Sequence, residues 1–148
     1  MTTSEVLKES LRRIFDTQIP NYGDYNLVFA SNSRAVLAAE AASGGEMKLR
    51  CYVLGYRWRP SEIVIAPFNA STLTAGSAAV AINMTNLHSA LRLANGDVEI
   101  STSTGQTFRF GVQAYGELPD AHGISRELEQ IDDAEDFAEF IESFLAAA

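Results

Sequence analysis

The sequence predicts a mainly β, α+β fold: an antiparallel sandwich or partly open barrel of seven or eight strands. A helix precedes it and an amphipathic capping helix follows. Three observations point there. An apolar stripe at helical spacing lies near the N-terminus, and a second one lies near the C-terminus. Between them the apolar residues alternate or form short runs separated by turn residues. The 148 residues are 47% hydrophobic and 20% charged, which suits one globular domain over 1–148. Its parts are a leading helix over 1–18, a β core over 24–113 and a capping helix over 132–146.

The leading helix follows from Leu7, Leu11, Ile14 and Phe15, which fall on one face, with Lys8, Glu9, Arg12 and Arg13 on the others. Ser4 is placed to cap it, and Pro20, Asn21 and Gly23 end it. From Asp24 the period becomes two, with Tyr25, Leu27 and Phe29 alternating. Residues 34–42 read equally as helix, from their alanines, or as strand, from Val36 and Leu37. Ser43-Gly44-Gly45 is a turn, after which Met47, Leu49, Cys51 and Val53 alternate with Lys48, Arg50 and Tyr52.

Ile63, Val64 and Ile65 form the next run, and Pro67 is expected to end it. Residues 79–84 and 87–93 are further short strands. Asn95-Gly96 carries the residue pair of a two-residue type I′ hairpin, and Thr104-Gly105 marks a second turn one strand length later. The segment 114–131 is open, with 124–131 a helical turn or short helix. In the last helix Ala134, Phe137, Ala138, Ile141, Phe144 and Leu145 form the stripe, with Phe140 at its edge. Asp132 and Glu135 have capping-box spacing there.

The formal net charge of −8 is unevenly placed. Residues 117–148 hold ten acidic side chains and one basic, Arg126, whereas residues 1–116 hold nine acidic and ten basic. The acidity belongs to the C-terminal segment and reads as a solvated helix face. It argues against general polyanion binding, so no nucleic-acid partner is expected. No secretory or lipidation signal is visible, and the long uncharged run 63–91 is too polar to span a bilayer. A cytoplasmic protein without an integral membrane segment is predicted.

The residues offer little chemistry. His88 and His122 have no partner at ligand spacing, and the single Cys51 leaves no thiolate set for zinc. No glycine-rich phosphate loop or nucleophile elbow occurs. The acids at 127–142 lack the central glycine of a calcium loop. No enzyme activity, metal or cofactor is therefore expected. One cluster stands out in the body: Arg57, Trp58 and Arg59, behind Gly55 and Tyr56 and ahead of Pro60. A tryptophan between two arginines can stack, pair with carboxylates or grip a phosphate. The other readings are a strand-connecting loop whose Trp58 packs on the core, and arginines that pair with the acidic last helix.

Three pieces of the middle of the chain then carry a resemblance: Ile82-Asn83-Met84-Thr85-Asn86-Leu87, Asn95-Gly96-Asp97-Val98-Glu99-Ile100, and Gly105-Gln106-Thr107-Phe108-Arg109-Phe110. With the helix Asp133-Ala134-Glu135-Asp136-Phe137-Ala138-Glu139-Phe140-Ile141, they resemble the closing strands and C-terminal helix of bacterial pleckstrin-homology-like (PH-like) domains, over about residues 61–145. The resemblance implies a seven-stranded sandwich capped by one helix and brings no shared ligand with it. The leading helix and the long segment 114–131 depart from the family pattern. The expected function is a non-enzymatic binding or assembly module, with a protein partner or a second copy of the chain as its target. The alternative is a small acidic dimeric secretion-type chaperone that binds a partner polypeptide. That reading requires a helix near 69–92.

Overall fold

The computed structural model describes residues 2–43 and 47–148, and the expected turn at Ser43-Gly44-Gly45 lies outside them apart from the backbone of Ser43. The elements run α1 Thr3–Gln18, β1 Asn26–Ser31, α2 Ser33–Ser43, β2 Cys51–Arg57, β3 Glu62–Asn69, β4 Thr74–Ala75, β5 Val80–Asn83, β6 Leu87–Arg92, β7 Val98–Thr102, β8 Thr107–Phe110, β9 Tyr115–Pro119, β10 Ser125–Glu129 and α3 Ile131–Ala147. All strand pairings are antiparallel. The fold is α+β and mainly β, with no closed barrel among the described residues.

Ten strands reduce to fewer structural units. β4 and β5 lie end to end along the same edge of β3, Phe68 facing Ala75 and Ile65 facing Val80. They are one edge strand broken at residues 76–79. The break explains why Pro67 does not end β3. Its carbonyl accepts from Gly76 N at 2.9 Å, so its missing N–H points to the same interrupted edge, where no ladder bond is lost. β1, β2, β3 and the broken strand make one sheet, and β6, β7 and β8 make a second. The backbones of Ser31 and Gly111 exchange two hydrogen bonds between them, at 3.1 and 2.8 Å. Residues 69–92 carry β4, β5 and β6 and no helix.

The segment 124–131 is not helical before Ile131. Ser125–Glu129 is a strand paired with β9, in which only Leu128 is buried, while β9 buries Gly116 and Leu118. Residues 34–42 resolve to the helix α2. Three of the hairpins close alike. In Leu93–Asp97, Thr102–Gln106 and Asp120–Ile124 the first and last residues pair, and the glycine N–H donates to the first carbonyl at 3.0 Å. Gly96, Gly105 and Gly123 sit at φ +93°, +93° and +78°, while Asn95 is not left-handed. These are three-residue turns ending in a left-handed glycine, not the type I′ turn that Asn95-Gly96 suggests.

Central strands β2 and β3 are buried on both faces. Val53, Val64 and Ala66 pack with Leu7, Leu11, Ile14 and Phe15 of α1 and with Leu118 and Leu128 of the β9–β10 hairpin. On the opposite face Leu54, Tyr56, Ile63 and Ile65 pack with Val98, Ile100 and Phe110 of the second sheet and with Phe137, Phe140, Ile141 and Phe144 of α3. Phe140, which periodicity puts at the stripe's edge, is fully buried because Tyr56 and Trp58 reach it.

Helix ends differ from expectation in two places. Thr2 caps α1 with a full capping box to Glu5, while Ser4 accepts from Glu129 N at 2.9 Å and ties the helix to β10. Gln130, not Asp132, is the N-cap of α3, and its side chain makes no cap bond. Instead Gln130 accepts from Phe29 N and donates to Phe29 O, both at 2.9 Å, and also donates to Gln113 O. Its amide stands where a neighbouring strand would stand beside β1.

Candidate functional site

Arg57 ends β2, and Trp58, Arg59 and Pro60 begin the turn to β3, so the cluster projects from one end of the first sheet. The hairpin register places Arg57 opposite Glu62, and Arg57 Nη2 lies 3.3 Å from Glu62 Oε1. Its guanidinium also sits 5.0 Å above the Tyr25 ring, and its Nε is buried without a partner. Glu62 is 7% exposed. Tyr25 donates its hydroxyl to one carboxylate oxygen, and Asn83 Nδ2 donates to the other at 3.2 Å. A buried carboxylate persists when its oxygens are paired and bonded in this way. Arg57 is therefore committed to Glu62, and the pairing with the acidic last helix does not occur for it.

Trp58 and Arg59 behave differently. Trp58 keeps 41% of its surface exposed, although its ring meets the buried Phe140 edge-on at 5.5 Å and 89°. Helix α3 thus contacts the tryptophan by an aromatic ring, not by its acids. Arg59 is exposed, precedes a cis bond to Pro60, and has no ion pair or hydrogen bond among the described residues. A ring packed on one edge, next in sequence to an exposed arginine, offers a surface for a planar group and a cation for a carboxylate.

The acids of α3 are engaged at three points. Asp136 accepts from the Tyr56 hydroxyl at 2.6 Å, Asp133 lies 3.5 Å from Lys8 Nζ, and Glu142 pairs with Arg92. Asp132 and Asp133 in the first turn also suit the positive pole of the helix.

A second ion pair, in which only the carboxylate is buried, has no sequence signature. Asp97, 1% exposed, meets Arg34 of α2 at 3.0 Å. Gly111 leaves the space for it, since a Cβ there would fall 2.2 Å from Asp97 Oδ1. The pair locks α2 onto the β6–β7 turn.

The titration shifts all run away from reactivity near neutral pH. Burial pushes the Cys51 thiol up to about 11, which keeps it protonated. Burial, and then the bond to Glu62, push Tyr25 up to about 12. Tyr52 and Tyr56 also move upward, chiefly by burial. Among the described residues no three His, Cys, Asp or Glu side chains gather as a metal site, and no helix is long and apolar enough to cross a membrane. Comparison of the chain with protein-family models, curated proteins and solved structures found no match.

Proposed function

We propose that the chain is a non-enzymatic binding or assembly module of PH-like architecture, whose contact surface is the β2–β3 turn bearing Trp58 and Arg59. The observation that carries this reading is the half-exposed Trp58, held edge-on by Phe140 and followed in sequence by Arg59, which is exposed and has no ion pair or hydrogen bond among the described residues. A rigid aromatic and an arginine at one spot are the side chains that anchor protein contacts. The partner is a protein or a second copy of the chain, met in the cytoplasm. Arg57, bound to Glu62, supports the turn without joining the contact.

The PH-like reading draws support from strand order. Four strands in one sheet, with β4 and β5 counted as one, precede three in the other, and α3 follows and packs between the sheets. The chaperone alternative is disfavoured because its helix near 69–92 is replaced by β4, β5 and β6. The upward shifts at Cys51 and Tyr25, which keep both protonated near neutral pH, support the non-enzymatic reading.

A photo-crosslinking residue substituted at Ser61, in the same turn and outside the proposed contact pair, tests the reading in cells. A discrete adduct, of twice the chain mass for self-association or of another mass for a partner, supports it, provided Trp58→Ala or Arg59→Ala abolishes the adduct. No adduct at position 61, or one indifferent to both Trp58→Ala and Arg59→Ala, sinks it.

A further inference from the structure

The outer edge of β1 is closed residue by residue, with one gap. Residues whose backbone groups face that edge recur every second position. At Ser31 the edge is filled by the Gly111 backbone. At Phe29 it is filled by the Gln130 carboxamide, which accepts from the N–H and donates to the C=O. At Tyr25, just before the strand, the Asn21 carboxamide does the same, both bonds at 3.1 Å. Leu27 is the remaining position in this series, and it lines a cleft of about 220 Å³ between α1 and β1. Asn21 and Gln130 flank the cleft, Lys8 and Arg12 reach it from α1, and Asp133 reaches it from α3.

We propose that this cleft binds a small molecule carrying a primary carboxamide at one end and a carboxylate at the other. A primary carboxamide presents an N–H and a C=O on the same edge, the pattern that Leu27 offers in reverse. The two neighbouring positions along the strand, each ~6.7 Å away, are filled by that same group from the chain's own side chains. The carboxylate is matched by Arg12, which has no ion pair among the described residues; Lys8 is held by Asp133 at 3.5 Å. A longer strand cannot add here, because Asn21 and Gln130 occupy the positions on either side. This site is separate from the Trp58–Arg59 surface, and neither proposal depends on the other.

Titration of the ¹⁵N-labelled full chain with glutaramate tests it. The Leu27 amide resonance is expected to shift saturably, with a smaller effect at residues outside the cleft. Glutarate, which replaces the carboxamide by a second carboxylate, and glutaramide, which removes the carboxylate, are each expected to bind about fivefold or more weakly, as is glutaramate to Arg12→Ala. Arg12 is exposed, so that variant keeps the fold. A Leu27 resonance that does not move overturns the proposal. So does equal binding of glutarate, or affinity unchanged by Arg12→Ala.

Discussion

The two faces of the central sheet are closed by different means. Toward α3 the sheet meets aromatic bulk: Tyr56, Phe137, Phe140 and Phe144 stack in contacts of 4.9–6.1 Å between centroids. Toward α1 it is closed by the side chains of α1 and the β9–β10 hairpin and, at two points, by the absence of a side chain. Phe15 lies against Gly55, where a Cβ would come within 2.4 Å of its ring, and Phe29 lies against Gly116, where one would come within 2.6 Å. One face depends on aromatic volume supplied, while the other depends also on volume withheld at two glycines. They should therefore fail in opposite ways, the first by cavities and the second by overpacking.

Each side also has a tyrosine hydroxyl given to a carboxylate, Tyr56 to Asp136 on the α3 side and Tyr25 to Glu62 on the α1 side. These bonds hold only while the phenols stay protonated.

The largest expected effect comes from removing volume. Phe144→Ala, at a fully buried position, is expected to lower unfolding free energy by about 3–5 kcal/mol in chemical denaturation. Adding one methyl group to the other face is expected to cost less. Gly55→Ala should destabilise by about 1–3 kcal/mol, and Phe15→Leu in the same molecule should recover part of the loss. If the second change recovers nothing, the Phe15–Gly55 contact is not what limits that face.

The smallest effect is a response to alkali. Tyr25 is raised to about 12 and Tyr56 is raised too. The unfolded chain, with ordinary phenols near 10, thus loses protons first. Stability from these groups is complete below about pH 10 and falls as pH rises toward 12. Denaturation midpoints across that window should drop, and Tyr25→Phe should flatten part of the slope. A midpoint indifferent to pH would separate the two bonds from the stability of either face.

Much of this comparison was legible in the sequence. The stripes Leu7–Phe15 and Phe137–Phe144 gave both helices, and the glycines at 96 and 105 gave two of the turns. Arg57 opposite Glu62 is a cross-strand pair that hairpin register alone could have suggested. The β9–β10 hairpin was not readable because each strand buries one large apolar residue, Leu118 or Leu128, too few for a period. The double burial of β2 and β3 was hidden for the reverse reason: both faces are apolar, so alternation carries no contrast. Trp58 was found as a candidate, but its support by Phe140 spans 82 positions of sequence and leaves no local mark. The gap at Leu27 depends on where Asn21 and Gln130 place their amides, which only the folded backbone decides.

The amide of Gln130 has a consequence for how the chain folds. It fills the Phe29 position on the edge of β1 from 101 residues away, after every strand in sequence order. Contacts of such separation form late, because loop closure precedes any gain from them. Until then β1 pairs with β2 on one side and leaves the N–H and C=O of Phe29 open next to those of Leu27 on the other, a template for strands of neighbouring molecules. Slow refolding at high concentration should therefore lose material to aggregation through β1, with Gln130 acting as the last latch.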